Sequence, residues 1–185
     1  ESIVFTASGC GMHFRDYGEL LRDDQRYADK AQRISGMTRD IAEIVTAEWT
    51  EASGPRLPSL AQPLRVVFQS SCSLQHGERL NGIVEQLLKR AGFKLLRAAY
   101  PFMCCGAAGA YSLLQRELSE SLRASKMETL LAVRPQVIAT ANIGCINHLS
   151  ETAPVPVRHW IELLDESFVA AASASAGSEV RQTPA

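Results

Sequence analysis

The chemistry legible in this chain of 185 residues rests on five cysteines, Cys10, Cys72, Cys104, Cys105 and Cys145. The densest stretch is Tyr100-Pro101-Phe102-Met103-Cys104-Cys105-Gly106-Ala107-Ala108-Gly109. Adjacent side chains in an extended segment point to opposite sides, so both thiols face one target only if the backbone bends. Gly106 and Gly109 permit that bend. The stretch therefore reads as a metal or cluster seat, or as a redox pair. Cys72 and Cys104 are separated by 31 residues, and Cys105 and Cys145 by 39. Four thiolates drawn from three loops would hold either an iron–sulfur cluster or a tetrahedral zinc. Structural zinc sites usually use Cys-x-x-Cys knuckles, and the sequence has none, which tilts the choice toward iron–sulfur. Buried, inert thiols are the competing reading. His13 and His148 each follow a cysteine by three residues, a spacing that reaches a metal, although packing or capping is the plainer role for both. His76, at a predicted helix start, is placed to hydrogen-bond a cluster sulfur.

The elements that must position these thiols follow from the hydrophobic pattern. Ile3 to Thr6 predicts a strand, followed by a loop over Ala7–Gly11 and a helical region with Phe14, Tyr17, Leu20 and Leu21 in phase. A second helix is predicted over Thr38–Trp49, with Thr38 as its N-cap. Residues 50–63 hold three prolines and a glycine and read as a linker. Leu64–Gln69 predicts a strand ending beside Cys72, and a helix follows to about Ala91, with Gly92 stopping it. Phe93–Leu96 is the next strand and delivers the chain to Cys104. A helical region spans Tyr111–Val133, with Leu114, Leu118 and Leu122 on one face. Val137–Thr140 is a strand ending near Cys145, Val155–Val157 a last strand, and His159–Phe168 a helix. Residues 169–185, rich in alanine and serine, are expected to be a disordered tail. Strands alternating with helices predict an α/β fold, a parallel sheet flanked by helices. Loops that follow the strands of such a sheet share its carboxyl edge, which would bring Cys72, the Cys104–Cys105 pair and Cys145 together.

A partial repeat accompanies this pattern. Thr6-Ala-Ser-Gly-Cys10-Gly-Met-His13 matches Thr140-Ala-Asn-Ile-Gly-Cys145-Ile-Asn-His148 with one extra residue in the second copy. The first copy lacks a front half. The chain also opens on Glu1 with a strand already begun, so a longer polypeptide is expected, carrying a second Cys-Cys-Gly upstream. Nineteen lysines and arginines against 20 acids give a net charge of −1, and with no arginine-rich run nothing points to nucleic acid. No apolar run reaches the roughly 18 residues of a spanning helix. No G-x-G-x-x-G, Walker or G-x-S-x-G string is present, so dinucleotide, P-loop and serine-hydrolase sites are not indicated.

Cys72-Ser-Leu-Gln-His-Gly, Cys104-Cys105-Gly-Ala-Ala-Gly-Ala-Tyr-Ser-Leu-Leu-Gln, Thr140-Ala-Asn-Ile-Gly-Cys145 and Pro156-Val-Arg-His-Trp-Ile-Glu-Leu resemble the cysteine-rich CCG domain of glycolate oxidase iron–sulfur subunits. The Cys-Cys-Gly element alone is shared with the cysteine-rich subunits of heterodisulfide reductases and anaerobic glycerol-3-phosphate dehydrogenases, and with lactate-utilisation proteins. The resemblance implies two CCG-type modules. Residues 1–49 would be the C-terminal part of the first, 50–63 the linker, and 64–168 the complete second. It implies an iron–sulfur cluster, cubane 4Fe-4S or non-cubane, on Cys72, Cys104, Cys105 and Cys145. Cys10, in the incomplete copy, is the lesser candidate. It also implies an electron-transfer subunit of an oxidoreductase that is not catalytic alone. Its partners would be flavin-containing subunits with FAD, which oxidise glycolate to glyoxylate, and electrons would pass toward the quinone pool. The site would be cytoplasmic or peripheral on the inner face of the cytoplasmic membrane. The alternatives are a heterodisulfide-reductase-like thiol enzyme, a lactate- or glycerol-3-phosphate-type CCG subunit, or a scaffold propped by zinc or bare thiols. Two departures stand out. Asn142 and Ala7 occupy the positions of the earlier cysteine in the family's closing Cys-x-x-Cys, and the ferredoxin-like Cys-x-x-Cys-x-x-Cys runs are absent from this sequence.

Overall fold

The computed structural model describes residues 1–50 and 62–179. It is α/β, as the strand–helix alternation requires. Two parallel sheets carry it. In chain order, β1 (Ile3–Phe5) leads into α1 (Ser8–Arg15), α2 (Tyr17–Leu20) and α3 (Ala28–Met37), then β2 (Thr38–Asp40) and α4 (Ile41–Glu48). β1 and β2 pair in parallel as a two-stranded sheet. After the proline-rich stretch come β3 (Arg65–Gln69), a π-helical turn (Ser73–Gly77), α5 (Ile83–Arg90) and β4 (Lys94–Leu96). The chain continues through α6 (Tyr111–Leu114), α7 (Arg116–Leu131), β5 (Val137–Thr140), α8 (Ile143–Ser150), β6 (Val157–His159) and α9 (Trp160–Glu179). These strands form an all-parallel sheet ordered β4-β3-β5-β6.

A strand, a helix, a parallel strand and a closing helix occur as β1-α1-β2-α4 and again as β5-α8-β6-α9, an order compatible with a duplicated module. The parallel agrees in detail at the last helix of each set. Asp40 accepts the Ala42 N–H at 2.7 Å to cap α4, and His159 Nδ1 accepts the Ile161 N–H at 3.2 Å at the start of α9. The apolar core nevertheless spans both sets. Ala42 and Trp49 belong to the same buried cluster as Val66, Leu74, Val84, Leu88, Ala139 and Trp160. Trp49 packs edge-on against Phe168 at 4.9 Å, and the Arg90 guanidinium covers its ring at 4.3 Å. Most of the linker, residues 51–61, lies outside the described residues.

The structure differs from the sequence expectation at several boundaries, each with a local cause. Ala7–Gly11 is not a loop, since α1 starts at Ser8 and takes Cys10 into its first turn. Thr38 is not an N-cap: it opens β2, and α4 starts after Asp40. There Asp40 and Glu43 form a reciprocal capping box, the Asp40 N–H donating to Glu43 Oε2 at 2.8 Å. The helix α3 before it had not been anticipated. The predicted helix from Cys72 to Ala91 is broken, because the Cys72 loop is held as a π-turn and α5 restarts after Gly82, whose φ is +79°. The predicted Tyr111–Val133 helix breaks at Gln115, and Leu114 and Leu118 are exposed rather than buried. The last strand lies two residues later than expected, at Val157–His159. Pro156 has no N–H for a ladder, but its carbonyl accepts the Ile138 N–H at 3.0 Å. Finally, α9 continues to Glu179, through part of the segment expected to be a disordered tail.

Candidate metal centre

All five cysteines are free thiols, and four of them meet. Cys72 follows β3, Cys104 and Cys105 follow β4, and Cys145 lies in the first turn of α8 after β5. These three strands are adjacent in the sheet, so their carboxyl ends open side by side. Cys105 Sγ lies 3.1 Å from Cys145 Sγ. Cys104 is adjacent to Cys105 in the chain and interacts electrostatically with both Cys105 and Cys72, which links the four sulfurs into one set. Cys105 and Cys145 are buried, Cys104 is half-buried and Cys72 is exposed. Cys10 is exposed on α1, and no hydrogen bond among the described residues joins it to the four.

Each loop is pinned by its own contacts. For the Cys72 loop these are a buried hydroxyl network: Ser8 Oγ meets Ser71 Oγ at 2.9 Å and Ser73 Oγ at 2.7 Å, and Asn142 Nδ2 donates to Ser73 Oγ at 3.1 Å. Asn142 Oδ1 also accepts the Gly144 N–H at 2.8 Å, capping α8. Asn142 thus ties the Cys72 loop to the helix carrying Cys145. Gln75 Nε2 donates to the Ser70 carbonyl at 2.7 Å, and it reaches the Pro101 carbonyl at 3.4 Å.

The Cys104–Cys105 loop turns at Gly106, where φ is +93° and a β-carbon would strike the Ser119 carbonyl, so glycine is required twice over. Buried Ser119 donates its hydroxyl to the Gly106 carbonyl at 2.8 Å. That hydroxyl therefore accepts from His148 Nε2, 3.2 Å away, which fixes the proton on Nε2. His148 steadies the loop through Ser119 and is not aimed at the sulfurs. His13 packs edge-on against Tyr17 at 5.4 Å, and His76 is exposed beside the Phe102 ring at 6.4 Å, with no hydrogen bond to a sulfur among the described residues. His13 and His148 thus take the plainer packing and hydrogen-bonding roles.

The electrostatics are those of a thiolate centre. Hydrogen bonds from Cys105 and Cys72, with the Gly106 N–H at 3.3 Å, hold Cys104 far below the ordinary thiol range. The same contacts push Cys72 and Cys105 upward, because each keeps the proton it shares with Cys104. Lys126 brings a buried cation to the loop, its Nζ 3.3 Å from the Pro101 carbonyl and 3.5 Å from that of Tyr100. Sequence reasoning missed Ser119 and Lys126. They are spaced seven residues apart on one face of α7, a pattern indistinguishable from an ordinary polar face until the loop is seen beneath it.

The donor set fits an iron–sulfur cluster. It is all-sulfur, drawn from three loops, with backbone N–H groups and one cation around it. Among the described residues no helix is long and apolar enough to cross a membrane.

Residues 66–150 match the family model of the CCG cysteine-rich domain. The chain is 40% identical over 168 residues to the glycolate oxidase iron-sulfur subunit of Escherichia coli, covering 91% of this chain and 40% of that protein. It is 30% identical over 150 residues to the probable glycolate oxidase iron-sulfur subunit of Bacillus subtilis, covering 79% and 32%. With lactate utilization protein A of Bacillus licheniformis it shares 26% identity over 175 residues, covering 89% and 70%. The chain thus spans less than half the length of the first two relatives.

Proposed function

We propose, on the premise that residues 66–150 belong to the CCG cysteine-rich domain family, that this chain is an iron–sulfur electron-transfer subunit of a glycolate oxidase complex. The observation that carries the reading is the convergence of Cys72, Cys104, Cys105 and Cys145 at one sheet edge. The 40% identity to a glycolate oxidase iron-sulfur subunit supplies the substrate. A bound cluster, whether 4Fe-4S or non-cubane, would supply one-electron redox chemistry between a flavin and a quinone pool. The protein's own residues hold and insulate it. The four cysteines are the ligands, and the Gly106 N–H donates to Cys104. Ser119 with His148 fixes the loop, and the buried side of the site excludes water from Cys105 and Cys145.

Electron transfer also needs docked partners, here subunits that carry FAD and oxidise glycolate to glyoxylate. Large exposed apolar side chains stand on the cysteine loop itself, Tyr100 and Phe102, on α8 two residues before Cys145, Ile143, and on the helices that follow the loop, Leu113, Leu114 and Leu118. Exposed apolar groups concentrated about a redox centre suit a subunit interface. The complex would work in the cytoplasm or peripherally on the inner face of the cytoplasmic membrane.

Anaerobic reconstitution with iron and sulfide, followed by iron analysis and EPR, tests the assignment. Cys104→Ala and Cys105→Ala should abolish iron retention, whereas Cys10→Ala should leave it intact. A chain that binds no iron, or that holds it equally well without Cys104 and Cys105, overturns the proposal. A second reading follows from the exposure of Cys72 and half-exposure of Cys104, which leave sulfur open to a disulfide substrate as in a heterodisulfide-type reductase. Turnover of a disulfide by the assembled complex would favour it over relay alone.

A further inference from the structure

Lys126 is 1% exposed, and burying an ammonium costs several kcal/mol unless it is compensated. Among the described residues no carboxylate forms an ion pair with it. Its hydrogen bonds, to the carbonyls of Tyr100 and Pro101, are long. These two residues shortly precede the Cys104–Cys105 pair. Burial pushes the Lys126 ammonium below its ordinary range, and the negative groups that oppose this and favour its charge are three of the four centre sulfurs, those of Cys105, Cys145 and Cys104. Two turns earlier on the same helix face, Ser119 holds the Gly106 carbonyl. α7 thus grips the cysteine loop at both ends, by a neutral hydroxyl at one and by a cation at the other.

We propose that Lys126 is the buried counter-charge of the cysteine centre, a positioning residue that raises the reduction potential of the cluster held there. The proposal rests on the iron–sulfur reading above. Reduction adds one negative charge to the site. A cation fixed nearby in a low-dielectric interior stabilises the reduced form more than the oxidised one, so the potential rises. Charge, not hydrogen-bond geometry, is the operative property. Arginine should therefore substitute for lysine where methionine and glutamine do not.

The experiment is a redox titration, monitored by EPR, of the reconstituted full chain as wild type, Lys126→Met, Lys126→Gln, Lys126→Arg and Ser119→Ala, with iron content measured in each. The neutral Lys126 variants should lower the midpoint potential by a tenfold change in the one-electron equilibrium or more, which is about 59 mV. Lys126→Arg should stay close to wild type. Ser119→Ala, which loosens the loop without changing charge, should affect iron retention and leave the potential near wild type. If neither neutral variant retains iron while Lys126→Arg does, the requirement for charge is supported directly. Wild-type potential in iron-replete neutral variants refutes the Lys126 assignment and leaves the cluster intact as a reading. A wild-type chain that takes up no iron overturns the cluster reading itself, and the assignment with it.

Discussion

Glu78→Gln is expected to stabilise this protein at alkaline pH and to flatten its pH dependence. Glu78 follows the Cys72 turn and is 7% exposed, and among the described residues no donor bonds either of its carboxylate oxygens. It faces Asp40, the cap of α4, whose Oδ2 also lacks a donor and which is 1% exposed. Gly11 of α1 leaves the room its carboxylate occupies. Burial first, then the negative charge of Asp40, push Glu78 up from 4.5 to about 7, against the opposing pull of Arg15. Asp40 is raised as well, chiefly by burial. The two carboxyls therefore share a proton and titrate as a pair. The folded state binds that proton more tightly than the unfolded chain does, so the stabilisation is complete below about pH 4.5 and is lost as pH rises through about 7. At about 1.4 kcal/mol per pKa unit, ionising the pair costs the fold on the order of 3 kcal/mol. Glutamine keeps a donor for Asp40 Oδ2 and has nothing to ionise. In the iron-free, reduced chain, thermal and urea unfolding at pH 5 should be nearly unchanged. At pH 8.5 the variant should gain roughly 2–3 kcal/mol, about 5–10 °C in Tm for a chain of this size. Unfolding curves that stay parallel to wild type from pH 5 to 8.5, or a variant less stable at pH 8.5, would refute the shared-proton argument.

Other substitutions probe the centre and its surroundings. Gly106→Ala puts a β-carbon against the Ser119 carbonyl at a φ of +93°. It should lower stability by about 2 kcal/mol or more and impair iron retention, measured by urea unfolding and iron analysis. Wild-type behaviour on both would show that the loop relaxes freely. Phe102→Glu with Leu113→Glu alters side chains that are 71% and 83% exposed. The pair should leave iron content and Tm unchanged and weaken co-purification with the proposed flavin-bearing subunits, and undiminished assembly would move the interface elsewhere. Ser73→Ala removes a member of the hydroxyl network between Ser8, Ser71 and Asn142. Leaving buried partners unsatisfied should cost about 1–3 kcal/mol, read as a lower urea midpoint.

The amino-acid sequence by itself determined the fold class and predicted which cysteines share a sheet edge. Apolar strands at Ile3–Phe5, Arg65–Gln69, Lys94–Leu96 and Val137–Thr140 are short and dense in large apolar and β-branched residues, a signal that survives without tertiary context. In a parallel sheet their following loops share an edge, so Cys72, Cys104, Cys105 and Cys145 were legible as one group from the chain alone. Local pattern misled where a tertiary contact outweighed it. The sequence predicts one helix from after Cys72 to Ala91, yet buried bonds from Ser8 and Asn142, far away in sequence, hold the stretch after Cys72 as a π-turn. Leu114 and Leu118 sit at helical spacing but face outward, because α6 and α7 are separate helices. Tertiary structure alone decided what surrounds the thiols. It set His148 on Ser119, Asn142 as a tether, Glu78 against Asp40 and Lys126 under the cysteine loop. Each of these depends on residues many turns apart meeting in a low-dielectric interior. Sequence spacing carries no record of that, since burial and charge neighbours are properties of the packed chain.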